Sequence, residues 1–180
     1  MIAYAALLRG VNVGGRTVVP MADLRRLFAQ LGYPDARTYI QSGNVIFESD
    51  VDDQARLASD IAQAVTEEFD RAVAVMLRTR ADLDQIAAAN PFAERDLDPS
   101  KLLVSFLSEA PGADVAARLV VPEGLPEEMV LKGRELYIHY PNGAGRSKLS
   151  PAFFDGRLGD IRATARNWRT VEKLRELMRG

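Results

Sequence analysis

The run Ala36–Glu48, ARTYIQSGNVIFE, decides the fold. Two β-rich arms, Ala36–Gln41 and Asn44–Glu48, meet across Ser42-Gly43, a pair suited to a tight hairpin turn. The hairpin lies between two helical patterns. Upstream, Ile2–Leu8 is a short apolar run that reads as a strand. It carries no basic leader or cleavage signature and is too short to span a bilayer. Pro20–Leu31 follows as a helix: Pro20 suits its first turn, and Leu24, Leu27, Phe28 and Leu31 form one apolar stripe. Gly32 stops it. Downstream, Ser49 or Asp50 is expected to cap a helix running to about Phe69, with Leu57, Ile61, Val65 and Phe69 inward. Ala72–Arg78 closes the set as a strand. The order β-α-β-β-α-β is the split βαβ arrangement of the ferredoxin-like fold.

The element order then recurs. Thr79 and Asp82 form a capping-box pattern for a helix through Ala89, which Pro91 ends. Lys101–Leu107 reads as a strand and Asp114–Val120 as a short helix. Glu128–Leu131 and Glu135–Tyr140 form a hairpin across Lys132-Gly133. Pro151–Leu158 is a helix and Arg162–Arg166 a strand. Asn167 caps a last helix from Trp168 to Met178. The expectation is an α+β protein of two ferredoxin-like (split βαβ) halves in tandem. Residues 1–80 form the first half, 81–100 a linking helix and loop, and 101–180 the second half with a C-terminal tail helix. The repeat is one of element order, without a residue-level match.

Composition narrows the chemistry. The 180 residues are 47% hydrophobic and 27% charged, enough to fill a core. There is no cysteine, which excludes disulfides, a thiolate nucleophile and cysteine-bound metal, and which fits a cytoplasmic setting. A formal net charge of −2 argues against a coat on duplex DNA. From Tyr140 onward nine Lys and Arg face four Asp and Glu, so the last quarter is basic. His139 is the only histidine and sits inside a strand pattern. No G-x-S-x-G, no H-E-x-x-H and no paired-histidine spacing occurs. Asp50, Asp52 and Asp53 lack calcium-loop spacing and read as charge complementing a helix N-terminus. Neither a metal nor a cofactor is expected.

The chemistry concentrates in loops. Chain direction alternates in this topology, so Arg9–Gly15 (RGVNVGG) and Gln41–Asn44 (QSGN) should converge at one end of the first sheet. In the second half, Asn142–Lys148 (NGAGRSK) and Ala165–Trp168 (ARNW) should converge likewise. Gly10, Gly14 and Gly15 could supply backbone N–H groups to an anion, with Arg9 and Asn12 as side-chain donors. Ser42, Gly43 and Asn44 would complete that wall. Gly145, Arg146, Ser147 and Lys148, with Arg166, Asn167 and Arg169, would form another. Neither loop is a dinucleotide fingerprint or a Walker loop: in the second, Ser147 precedes Lys148 and Leu149 follows it. Each glycine also has a plain turn reading, and Asn167 a plain capping role.

The six ordered motifs LLRGVNVGG, VPMADLR, YIQSGNVIF, NPF, the GRSKL loop and TARNWRTV resemble the bacterial family filed as domain of unknown function 1697. The resemblance runs from Leu7 to Leu174. It implies a pair of ferredoxin-like halves and carries no established activity. The expected function is binding of a small anionic ligand, phosphate- or carboxylate-bearing, with a nucleotide as the natural guess. One alternative is a metal-independent transferase or hydrolase acting on such a ligand, with only His139 or a carboxylate as candidate base. Another is a single-stranded nucleic-acid binder using the basic quarter; Tyr4, Tyr39 and Phe47 could stack bases or equally belong to the core. No membrane partner is expected.

Overall fold

The computed structural model describes residues 1–15 and 18–179. Among these, the fold is mixed α+β, with two four-stranded antiparallel sheets and six α-helices. The chain divides into two compact units. The first comprises Met1–Asp84 together with Leu174–Gly180, and the second Gln85–Lys173.

In the first unit the order is β1 (Ile2–Leu8), α1 (Met21–Gln30), β2 (Arg37–Tyr39), β3 (Asn44–Ser49), α2 (Gln54–Phe69), β4 (Val75–Thr79) and the start of α3 (Arg80–Ala88). The strands lie side by side as β2-β3-β1-β4. Period-two alternation sends Tyr4, Ala6, Leu8, Val45, Phe47, Val75 and Leu77 to one face. There they meet the stripes of α1 (Leu24, Leu27, Phe28) and α2 (Leu57, Ile61, Val65). Phe47 is the hub of that core. Its ring lies 5.6 Å from Tyr4, 5.2 Å from Phe28 and 4.7 Å from Tyr33. Tyr4 and Phe47 are therefore core residues, and their rings are closed to stacking partners from outside. The opposite face of the sheet carries Ala5, Leu7, Ile46, Met76 and Arg78, all buried.

In the second unit, β5 (Leu102–Leu107), α4 (Ala113–Ala116), β6 (Glu128–Lys132), β7 (Glu135–His139), α5 (Pro151–Leu158), β8 (Ala163–Asn167) and most of α6 (Trp168–Leu177) follow. The strand order β6-β7-β5-β8 repeats the first sheet position for position. Leu107, Leu136, Ile138 and Tyr140 pack against Leu119, Phe154 and Leu158 on one face.

Helix starts follow local hydrogen bonding. Thr79 and Asp82 cap α3 reciprocally: Thr79 N donates to Asp82 Oδ2 at 2.8 Å and Asp82 N to Thr79 Oγ1 at 3.0 Å. Asn167 Oδ1 accepts from Thr170 N at 2.9 Å and caps α6. Helix α2 departs from expectation. It begins at Gln54, with Asp53 accepting from Arg56 N, rather than after Ser49 or Asp50. Ser49 is the buried last residue of β3, and its hydroxyl accepts from Val51 N instead. The expected helix over Asp114–Val120 shrinks to the single turn Ala113–Ala116, because among its residues only Leu119 is buried and no apolar stripe extends it.

Truncating Phe47 to alanine removes the ring that three others contact. Phe47→Ala should lower unfolding free energy by about 3–5 kcal/mol, read as a shift in denaturant midpoint at unchanged slope.

Candidate functional site

Three connections of the first unit meet at one end of its sheet. Leu7 pairs with Asn44, so β1 ends where β3 begins. Leu8 N donates to Gly43 O at 2.8 Å, and Arg9 N donates to Ala74 O at 2.9 Å. The β1–α1 loop, the β2–β3 turn and the α2–β4 loop are thus tied by main-chain bonds.

Asn12 holds this assembly. Its Nδ2 donates to Val19 O at 2.9 Å and to Gln41 O at 2.7 Å, and its Oδ1 accepts from Val19 N at 2.8 Å. One amide side chain closes its own loop and staples it to the hairpin turn. Asn44, fully buried, does the same within the turn: Nδ2 donates to Tyr39 O at 2.9 Å and to Ser42 Oγ at 3.0 Å. Sequence reasoning placed both asparagines in a ligand wall. The structure gives their amides internal, positioning work.

The glycines sort by what a methyl group would meet. At Gly43 a Cβ would overlap Val11 Cγ2 and stand 2.9 Å from Leu8 Cβ, so packing itself demands glycine. At Gly10, Gly14 and Gly15 a Cβ would meet nothing within 4 Å. Those three face open space with φ of +68°, +62° and +69°. Asn12 is also left-handed at φ 55°, while Arg9, Val11 and Val13 keep negative φ. From Arg9 to Gly14 the sign of φ therefore alternates residue by residue. Alternation in the sign of φ can turn successive N–H groups toward one side; that of Arg9 is already taken by Ala74 O.

In the second unit, β7 and β8 are both antiparallel to β5, so both leave the same end of the sheet. The loop after β7 carries exposed Arg146 and Lys148. Ser147 is engaged: its hydroxyl donates to Glu127 Oε1 at 2.5 Å and accepts from Leu149 N at 3.0 Å. The other carboxylate oxygen, Glu127 Oε2, is buried and has no hydrogen-bond partner among the described residues. Tyr140 donates to Leu149 O at 3.1 Å beneath this loop. Burial first, and the Glu127 carboxylate second, push the Tyr140 phenol up to about 12. At the end of β8, Asn167 caps α6, Trp168 is half-buried, and Arg169 is exposed and lies 3.5 Å from Asp98. Arg166 is only 6% exposed, and burial pushes its pKa down to about 10, still cationic at neutral pH. Its Nη1 donates to Thr164 Oγ1 at 2.7 Å and to Ala165 O at 2.9 Å.

Two residues were missed in the sequence. Glu127 is one; nothing in its spacing announces a partner twenty residues on. Arg78 is the other. It is 1% exposed, stands next to last in β4 as Arg166 does in β8, and donates from Nη1 to the preceding carbonyl, Leu77 O, at 2.7 Å. Each is followed by a helix-capping residue, Thr79 or Asn167. This is a residue-level repeat after all: a buried arginine, then a cap, then a helix. His139 is buried, with Nδ1 3.3 Å from Glu128 Oε1, and Glu128 is itself gripped by Arg95 at 2.8 Å through both oxygens. Among the described residues no group of three or more acidic or histidine side chains could hold a metal ion. No described helix is long and apolar enough to cross a membrane.

The chain belongs to the family described as protein of unknown function (DUF1697), whose model matches residues 1–137. The GRSKL and TARNWRTV motifs lie beyond that range. A solved structure, that of a conserved bacterial protein from Streptococcus pneumoniae, is similar over 99% of each chain, with a TM-score of 0.69 and 25% identity. No curated protein matches.

The glycine contrast is measurable. Gly43→Ala should cost at least about 2 kcal/mol through overlap and left-handed strain, whereas Gly14→Ala should cost about 1 kcal/mol from strain alone. Tyr140 should titrate near pH 12 by ultraviolet absorbance. Because the folded phenol holds its proton above the unfolded value of 10.0, its contribution to stability is intact below that pH and lost as pH climbs through about 12. Glu127→Gln should lower that midpoint.

Proposed function

We propose that this protein binds a small phosphate- or carboxylate-bearing ligand at the loop end of its first unit. One observation carries the reading: alternating φ from Arg9 to Gly14 in a loop whose glycines face open space. Backbone N–H groups would hold the anion, and the half-buried Arg9 would supply charge. The Asn12 clamp supports this use, since a loop fixed before binding loses little entropy on capturing its ligand. The missing side chains at Gly14 and Gly15 let a ligand approach the main chain closely.

The exposed Arg146 and Lys148 give the second unit a cationic loop of its own, which we read as a separate, weaker contact for anions. In the same reading Arg166 is a positioning residue, since its guanidinium bonds its own strand. The matching strand orders and the β-α-β-β-α-β sequence of elements support ferredoxin-like halves. The absence of cysteine fits a cytoplasmic protein.

Calorimetric titration of wild type with inorganic phosphate, sugar phosphates and nucleotides tests the proposal. Binding should appear with at least one of them. Gly14→Ala and Gly15→Ala, each leaving the protein folded, should weaken it about tenfold. No heat with any anion would overturn the proposal, as would full affinity in both alanine variants.

A further inference from the structure

We infer that the ligand of this loop end is an amphipathic anion, a phosphate or carboxylate carrying an apolar ring or acyl group. The inference rests on the anion-cradle reading above and adds the chemistry of the ligand's other half. It comes from three exposed aliphatic side chains. Among the described residues the large hydrophobics that stay exposed are Met1, Val13, Val18, Leu31, Ile40, Val51 and Val120. Met1 and Val51 lie at the opposite end of the first sheet, Leu31 follows α1, and Val120 is in the second unit. The remaining three each adjoin, along the chain, a residue of the Asn12 clamp.

What links them is the Asn12 clamp. Val13 adjoins Asn12 itself, Val18 adjoins Val19, and Ile40 adjoins Gln41; Asn12 bonds both Val19 and Gln41. Each aliphatic residue is therefore the chain neighbour of a residue in that one clamp. Val13, Val18 and Ile40 are 64%, 68% and 48% exposed. Single exposed aliphatics are ordinary on a surface, but a group beside polar binding atoms marks a place where an apolar partner is received.

Ile40 adds a second, independent observation. Its φ is 51°, the left-handed region. A β-branched side chain is poorly tolerated there, and asparagine or glycine would be cheaper. The fold gains nothing visible from an isoleucine at this point, since the side chain is half in solvent. An apolar contact made only in the bound state accounts for it, and strained residues of this kind concentrate where ligands are held. The N–H groups of Gly10–Gly14 and these three residues would offer an anion and an apolar group adjoining places. An inorganic anion would use only the first.

Methyl phosphate and phenyl phosphate separate the two halves of the ligand. By calorimetry at low ionic strength, wild type should bind phenyl phosphate about tenfold tighter than methyl phosphate, as partial burial of a ring implies. Val18→Ser and Ile40→Asn should each erode that preference and leave methyl phosphate binding unchanged. Ile40→Asn suits the left-handed backbone, so it should keep the fold by circular dichroism. Equal affinity for both probes in wild type would overturn the amphipathic ligand while leaving the anion cradle standing. A phenyl preference that survives both substitutions would also overturn it. Binding of neither probe would overturn both readings. A monomer–dimer equilibrium abolished by Ile40→Asn, with no phenyl preference, would assign the patch to a second copy of this chain and overturn the ligand.

Discussion

The loop end of the first unit depends on one missing methyl group. The β2–β3 turn lies so close over the exit of β1 that Gly43 has room for a hydrogen atom and no more between Leu8 and Val11. That close seat lets Leu8 N reach Gly43 O and extends the β1–β3 pairing into the turn. It also carries Gln41 to where Asn12 can hold it, and Asn12 in turn fixes Val19 at the approach to α1. A larger residue would lift the turn, break the first of these bonds and release the rest. This loop end is therefore stabilised from below by packing, while Gly10, Gly14 and Gly15 face open space.

Much of this architecture was legible from residue patterns because the deciding signals are local. Helix α5 keeps the bounds read from Pro151 and Leu158, and the Thr79–Asp82 box and the Asn167 cap are both made. Each relies on residues no more than three apart. The start of α2 was less readable for a physical reason. Ser49, Asp50, Asp52 and Asp53 are all competent caps, and the choice falls on Asp53 only once the β3–β1 register has taken Ser49 into the sheet. Register is a long-range property, and no local pattern contains it.

The candidate site divides the same way. Convergence of Arg9–Gly15 with the hairpin turn followed from strand direction alone. The work done by each amide did not. An asparagine that clamps a loop and one that greets a ligand carry the same donors and acceptor; what separates them is which carbonyl lies within 3 Å, and the carbonyls of Val19 and Gln41 come from elsewhere in the chain. Arg78 escaped notice for a related reason. One cation in an otherwise apolar strand suggests an edge reaching water, and β4 is an edge strand. Its burial follows from both faces of the sheet being covered. Placed beside Arg166, it shows that the halves share more than element order: β4 and β8 each carry, next to last, an enclosed guanidinium bonded to its own backbone, just before a capped helix.

Helix α6 starts in the second unit, yet its final residues are grouped with the first. Arg37 donates to Leu177 O at 2.9 Å across 140 residues of chain, and Asp84 is bridged by Arg175 at 2.9 Å across 91. During synthesis, residues 1–84 emerge from the ribosome long before these partners exist. The N-terminal unit must wait, incomplete, until residues 174–180 have been made, so its maturation is coupled in time to that of the unit made between.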